Sequence, residues 1–141
     1  MSSLIVKEVE KNEVYHLRQK VLWPQLPLEH CMLDDDDVST HIGAFVGDDM
    51  VGTASLVLGD GWGRLRKFAI LPEHRNLGIG TTVIKYVIDT LRRNKMSTFW
   101  LDARETAIPF YEKIGMLVEG DRFYKEDIAY FKMSMNIETL N

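Results

Sequence analysis

Short runs of alternating apolar and polar residues recur along this chain, and between them lie stretches with apolar residues three or four positions apart. Alternation with a period of two predicts β-strands, whereas the wider spacing predicts amphipathic helices. The predicted strands cover residues 5–9, 41–46, 50–58, 64–70, 97–103, 116–118 and 129–137. About a third of the chain is thereby assigned to strands.

Three segments have helical spacing. The first follows Asn12, a predicted N-cap, and ends at the break Trp23-Pro24. The third follows Thr106, also a predicted cap, and stops at Gly115, where a left-handed residue is favoured. The second carries the longest apolar stripe, which comprises Val83, Ile84, Val87, Ile88 and Leu91.

The order of these elements predicts the fold class. Turns at 47–49 and 59–63 join three strands into an antiparallel meander. The long second helix joins strands 64–70 and 97–103, which we therefore expect to be parallel, with a right-handed crossover. The sequence predicts an α/β (α+β) fold with a mixed central sheet of about six to seven strands and flanking helices.

Composition narrows the class of protein. A chain of 141 residues is expected to form one domain, residues 1–141, and to bury a core without disulfides. The net charge of −4 argues against a nucleic-acid-binding protein. The chain has one cysteine, no apolar run of membrane-spanning length and no signal-peptide pattern, so we expect a cytoplasmic protein without a membrane partner.

Two local features have competing interpretations. The run Asp34-Asp35-Asp36-Asp37 suggests a cation site, but it lacks the spaced ligands and turn glycine of a calcium loop, so a solvated acidic loop is favoured. Cys31 is a possible nucleophile, although a free cysteine is more often a small buried hydrophobe. No metal site is predicted.

The segment between strand 64–70 and the second helix has the composition of an anion-binding turn. Glycine allows a ligand to approach the backbone, and the first N–H groups of a helix favour an anion. We call residues 75–81 the phosphate loop; they are Arg75, Asn76, Leu77, Gly78, Ile79, Gly80 and Thr81. The alternative is a glycine-rich turn without a ligand.

The spacing of the glycines excludes two common phosphate sites. A dinucleotide fingerprint requires a third glycine where this chain has Val83, and a P-loop requires Gly-Lys-Ser/Thr where it has Gly80-Thr81-Thr82. The remaining pattern, Arg-x-x-Gly-x-Gly, resembles motif A of the GCN5-related N-acetyltransferases. Residues 103–116 are similar to motif B of the same family, with Met116 in place of the usual phenylalanine. Together the two motifs cover about a third of the chain.

This resemblance implies an acetyl-CoA-dependent N-acetyltransferase in which an amine attacks the thioester directly. The phosphate loop would hold the diphosphate of coenzyme A, and backbone N–H groups of residues 68–70 would polarise the thioester carbonyl. Further cofactor-binding residues implied by the motifs are Phe68, Ala69, Ile70, Ala107, Phe110 and Lys113. Tyr111 would protonate the leaving thiolate, whereas outside motif B a tyrosine on a short helix is more often a packing residue.

One subgroup, the glyphosate N-acetyltransferase-like proteins, has a similar pattern in the first helix and the segment after it. Arg66 and Arg104 stand where that subgroup holds an acidic substrate, although either arginine alone is more often a solvated strand-end residue. Trp23 replaces a third arginine, and Tyr130 replaces a histidine thought to act as base. These departures favour an acceptor with an apolar portion and leave Tyr130 as base, relay or orienting group.

The resulting prediction is a transferase that acetylates a small, anionic amine. Two alternatives remain open: an acetyltransferase that acts on proteins or peptides, and a catalytically weak module that binds acyl-CoA. The apolar final strands are also compatible with a homodimer.

Overall fold

Residues 3–138, the part of the chain that the computed structural model describes, contain seven strands and three α-helices. The strands are β1 Leu4–Val9, β2 Thr40–Val46, β3 Asp49–Leu58, β4 Trp62–Ile70, β5 Thr98–Arg104, β6 Leu117–Lys125 and β7 Ile128–Asn136. The helices are α1 Lys11–Leu22, α2 Ile79–Arg93 and α3 Ile108–Ile114, and short 3-10 turns lie at Leu28–Cys31, Pro72–His74 and Glu105–Ala107.

The strand order in the sheet is β1-β2-β3-β4-β5-β7-β6. Strand β4 pairs with β5 in parallel, from Trp62↔Thr98 to Leu65↔Leu101, as the helical connection through α2 predicts. The other registers that the structure defines are antiparallel. The predicted mixed α/β architecture is therefore confirmed.

Contacts divide the chain into two compact units, and each has its own buried residues. The first unit comprises residues up to 57 together with 66–87. Here β1 pairs with β2 from Leu4↔Val46 to Val9↔His41, and β2 and β3 form a hairpin. Buried apolar residues of this unit include Val14, Leu17, Ile42, Ala44, Val51, Ala54, Leu56, Val83, Ile84 and Val87.

Helix α1 begins two residues earlier than the sequence prediction, which placed the N-cap at Asn12. The N-cap is Glu10, and its backbone N–H donates a hydrogen bond of 2.6 Å to the carboxylate of Glu13. The side chain of a glutamate at the third helical position thus accepts a hydrogen bond from a backbone N–H at the start of the helix, so Asn12 is not needed as the cap.

The prediction of a solvated acidic loop at 34–37 is correct for Asp34 and Asp37, which are exposed, but wrong for the half-buried Asp35 and the buried Asp36. Three of the four carboxylates form ion pairs within the first unit. The pairs are Lys11–Asp37, Arg18–Asp36 and Arg66–Asp35. Asp36 is almost fully buried, with 3% of its surface exposed. Because each of these carboxylates faces a different cation, their mutual repulsion is offset, and the charge run is part of the folded structure.

The second unit comprises residues 58–65 together with those from 88 onward. Strands β5 and β7 pair from Thr98↔Asn136 to Arg104↔Tyr130. A Cβ atom at Gly63 would lie 2.4 Å from Leu91 Cδ2, so the absence of a side chain there lets the helix pack directly on the strand. Buried apolar residues of this unit include Leu65, Leu91, Phe99, Leu101, Ala103, Tyr111, Met116, Met133 and Ile137.

Strand β6 is much longer than the predicted segment 116–118. It extends to Lys125 and pairs with β7 across a tight turn at Glu126-Asp127. Both turn residues have positive φ, 50° and 68°, a conformation for which hairpins usually select asparagine or glycine. Because the sequence carries neither residue at this turn, it offered no hairpin signal.

Helix α3 also starts differently from the prediction. Its N-cap is Ala107, and Thr106 lies in the preceding 3-10 turn, with Pro109 in the first helical turn, where its missing N–H has no cost. The predicted stop at Gly115 is confirmed by its φ of 116°. Among residues 3–138, no helix is long and apolar enough to cross a membrane.

Candidate functional site

The phosphate loop connects β4 to the N-terminus of α2. Asn76 and Gly78 both have positive φ, 64° and 83°, so the backbone turns sharply before the helix. The carbonyl of Gly78 accepts hydrogen bonds from the N–H of Thr82 at 3.2 Å and from its hydroxyl at 3.1 Å. The N–H groups of the first helical turn have no partner within the helix by its geometry, and they are available to an anion.

The space around Gly78 fits a ligand that approaches the backbone. A Cβ atom there would meet nothing within 4 Å, and a φ of 83° is strained for residues other than glycine. Arg75 is exposed, and its Nε donates a hydrogen bond of 3.2 Å to the carbonyl of Ile70. The loop therefore combines open space, helix N–H groups and a cation, the properties that a diphosphate requires.

Strand β4 changes conformation between Arg66 and Phe68. The intervening Lys67 has a φ of 51°, so the even alternation that was predicted from Arg64 through Ile70 is interrupted there. The parallel ladder to β5 already ends at Leu65. The segment expected to polarise a thioester carbonyl, residues 68–70, thus follows a local distortion of the strand.

Two of the predicted acceptor residues, Trp23 and Arg66, lie in the first unit. Lys67 Nζ stands 4.9 Å from the centroid of the Trp23 ring, and His30 contacts the same ring edge-on at 4.8 Å. Arg66 Nη1 donates a hydrogen bond of 2.7 Å to Asp35 Oδ2. Neither predicted residue is therefore a bare surface group.

The other two, Arg104 and Tyr130, are register partners on β5 and β7 in the second unit. The side chain of Arg104 is exposed and has neither a hydrogen bond nor an ion pair to any residue in 3–138. Tyr130 stacks on Phe123 with ring centroids 5.8 Å apart, and Lys125 Nζ lies 4.9 Å from its ring centroid. The structure thus brings an unpaired guanidinium next to a fixed phenol.

Tyr111 is on α3, with 8% of its surface exposed. Burial raises the pKa of its phenol well above the ordinary value, so the group remains protonated at neutral pH. Its ring contacts that of Phe110 in a T-shaped geometry, with centroids 5.1 Å apart. A protonated phenol suits a proton donor, and its burial equally suits a packing residue. The motif residues Ala107 and Lys113 are the N-cap and an exposed last-turn residue of the same helix.

Sequence reasoning missed two residues of this region, Asp35 and Lys67. The acidic run pointed to solvent exposure, and nothing in the sequence indicates a left-handed lysine within a strand. The partner of Asp35 could have been sought among cations on the neighbouring strands, since a folded charge run needs counter-charges.

Cys31 is fully buried, and burial raises the pKa of its thiol, against the smaller opposing effect of Arg18. A thiol in that state is a poor nucleophile, so its interpretation as a packing residue is confirmed. Within the described part of the chain, no three His, Cys, Asp or Glu side chains are arranged to hold a metal ion.

Comparison with known proteins places these features in a family context. Residues 8–116 match the model of the acetyltransferase (GNAT) family. The Bacillus subtilis (strain 168) protein YjcF, an uncharacterized N-acetyltransferase, is 28% identical over 137 residues, which cover 94% of this chain and 98% of that protein.

Solved structures have the same fold at low sequence identity. The ribosomal-protein-S18-alanine N-acetyltransferase of Escherichia coli has a TM-score of 0.81 at 18% identity, with 99% of this chain and 97% of that chain covered. A Bacillus subtilis acetyltransferase in complex with CoA has a TM-score of 0.75 at 13% identity, with 95% and 99% covered.

Proposed function

Since this chain belongs to the acetyltransferase (GNAT) family, we propose that it transfers an acetyl group from acetyl-CoA to the amine of a small, anionic acceptor. The N-acetyltransferase activity follows from the family. The acceptor class rests on one observation, the exposed side chain of Arg104, which has no hydrogen-bond or ion-pair partner among residues 3–138. An unpaired guanidinium offers a planar fork that fits a carboxylate or phosphonate.

Acetyl-CoA supplies the acetyl group as an activated thioester. The phosphate loop would hold its diphosphate, with the N–H groups at the start of α2 as donors and Arg75 as counter-charge. The open space at Gly78 supports this assignment, because a phosphate there can approach the backbone without meeting a side chain.

The chain's own groups address the two charges that develop during transfer. Backbone N–H groups of residues 68–70 would stabilise negative charge on the carbonyl oxygen, and they follow the distortion at Lys67. Tyr111 would give its proton to the departing sulfur. Its burial raises the pKa, which keeps the phenol protonated at neutral pH and also makes it a weaker acid, so the assignment of this role rests on the resemblance to motif B.

Both charged groups and an apolar surface would contact the acceptor. Arg104 would bind the acceptor's carboxylate, and Tyr130, fixed by Phe123, would orient the acceptor or relay a proton through water. Arg66 would contribute a second guanidinium, and Trp23 an aromatic surface. A homodimer through the final strands stays a prediction.

The experiment is an acetylation screen with mass detection over amino acids, aminophosphonates, polyamines and peptides. We expect acetylation of small anionic amines. Exclusive reaction with polyamines would contradict the acceptor class, and exclusive reaction with peptides would establish a protein acetyltransferase instead. Binding of acetyl-CoA without turnover on any amine would identify a binding module.

A further inference from the structure

The ion pair between Asp35 and Arg66 uses only part of each group. Arg66 Nη1 and Asp35 Oδ2 are 2.7 Å apart, and this is the hydrogen bond that joins the two side chains. Asp35 Oδ1 is buried and has no hydrogen-bond partner within residues 3–138. The pair therefore neutralises Arg66 while leaving guanidinium nitrogens of Arg66 for another ligand.

Hydrogen bonds hold the backbone around Asp35 in place. The Asp35 carbonyl accepts hydrogen bonds from the hydroxyl of Ser39 at 2.7 Å and from the N–H of Val38 at 3.2 Å. The next residue, Asp36, is anchored by Arg18 with two hydrogen bonds of 2.8 and 3.0 Å. Asp35 is thus held in place by its neighbours and not only by Arg66.

The net charge of this part of β4 depends on this carboxylate. Arg66 and Lys67 are consecutive cations on β4, and Lys67 lies over the Trp23 ring. With Asp35 ionised, one net positive charge remains among these three groups. Without it there would be two, enough to favour an acceptor that carries an additional anion.

We infer that Asp35 is a specificity-determining residue, which limits the acceptor to a single negative charge by neutralising Arg66. This inference rests on the proposed function, because it concerns the acceptor of that same site. It explains why a strand with two adjacent cations is faced by a fixed carboxylate, and it assigns a use to the acidic loop.

The test compares wild type with Asp35→Asn on glutamine and glutamate, which have nearly the same shape and differ by one negative charge. Asparagine retains an oxygen that can accept the hydrogen bond from Arg66 but removes the charge. We expect the ratio of kcat/KM for glutamate to that for glutamine to rise about tenfold, the effect of one partly screened charge. Calorimetric affinities of the two amino acids should change in the same direction.

The matched control is Asp37→Asn, which removes the same charge two residues later, at the exposed pair with Lys11. Its ratio should equal that of wild type. The reverse variant, Arg66→Gln, leaves Asp35 unpaired and should lower the ratio about tenfold, so that the inference stays testable if Asp35→Asn does not fold.

An unchanged ratio in an active Asp35→Asn variant would overturn this inference alone and leave the proposed function intact. An equal loss of kcat/KM for both amino acids would likewise overturn only this inference, because it would show that Asp35 has a purely structural role. If wild type neither acetylates nor binds glutamine, glutamate or any other anionic amine of the screen, the proposed acceptor class fails, and the inference fails with it.

Discussion

Arg18 and Asp36 form a two-pronged ion pair in the interior of the first unit. Nη1 lies 2.8 Å from Oδ2 and Nη2 lies 3.0 Å from Oδ1, and the two side chains are 0% and 3% exposed. The same guanidinium donates to the carbonyl of Cys31 at 2.8 Å and to the hydroxyl of Ser55 at 2.7 Å. One arginine thereby links α1, the acidic loop and β3.

Removal of one member of this pair should destabilise the fold strongly. In Asp36→Asn the guanidinium stays buried without its counter-charge, and loss of one partner of a buried pair costs about 3–5 kcal/mol. We expect the free energy of unfolding, measured by urea denaturation, to decrease by this amount. Asp34→Asn, at the exposed first position of the loop, is the matched control and should change it by less than about 0.5 kcal/mol. Equal stability of the two variants would contradict a structural role for the pair.

The pair should also make the free energy of unfolding depend on pH. Burial alone would raise the pKa of Asp36, but hydrogen bonds from Arg18 and from the Leu33 N–H outweigh it and lower the pKa below the ordinary value. Because the folded pKa is the lower one, this contribution is complete above about pH 4 and is lost as pH falls through the folded pKa. Wild type should therefore lose more stability than Asp36→Asn between about pH 5 and pH 2. Parallel pH profiles for the two proteins would refute the linkage.

The elements that sequence predicted well are those with a strong local signal. The apolar stripe of α2, the glycines before it and the stop at Gly115 each have one physical cause that acts within a few residues. The parallel β4–β5 pairing follows from the length of the connection between the strands. The phosphate loop could be located for the same reason.

What sequence did not predict depends on contacts between distant residues. Asp35 and Arg66 are separated by 31 positions, so the loop's composition gave no indication of its counter-charge. The turn at Glu126-Asp127 adopts positive φ without asparagine or glycine, and Lys67 does so within a strand. At residues 126 and 127 the two-residue connection between the paired strands β6 and β7 requires this conformation, which the residue types of the turn do not reveal.

Cofactor binding should require glycine at position 78. Valine there would be strained at a φ of 83° and would place a side chain in the open space of the phosphate loop. We expect the affinity for acetyl-CoA, measured by calorimetry, to fall at least about tenfold in Gly78→Val. Gly61→Val is the matched control, because Gly61 also has a positive φ, 80°, but lies outside the loop. Undiminished affinity in Gly78→Val would remove the loop from the cofactor site.

Tyr111→Phe should separate catalysis from packing. Phenylalanine keeps the aromatic ring but has no proton to donate, so kcat should fall about a hundredfold while acetyl-CoA affinity is nearly unchanged. Since burial raises the pKa of this phenol, Tyr111 should cause no inflection in the pH profile below about pH 10. Tyr124→Phe, at an exposed tyrosine, should keep full activity. An unchanged kcat in Tyr111→Phe would leave only the packing role.

Arg104→Ala should weaken recognition of the acceptor without weakening the binding of acetyl-CoA. The exposed guanidinium has no partner in the described part of the chain, so its removal should cost little stability. The variant would delete a charged hydrogen-bonded contact to the acceptor worth about 1.5–3 kcal/mol. We expect kcat/KM for the acceptor to fall at least about tenfold, with acetyl-CoA affinity unchanged. Arg104→Lys should recover only part of the loss, because an ammonium cannot form the two parallel bonds of a guanidinium.

The control for Arg104→Ala is Arg122→Ala. Arg122 is an exposed arginine of the same unit, and it pairs with Glu105. Its replacement should leave the kinetics for the acceptor unchanged. If Arg104→Ala kept the wild-type kcat/KM for every anionic amine, carboxylate recognition would have to be assigned elsewhere. Arg66 would be the next candidate, but its ion pair with Asp35 neutralises it. Its contribution would therefore be measured by comparing Asp35→Asn, in which the Arg66 guanidinium has no charged partner, with the double variant Asp35→Asn, Arg66→Ala.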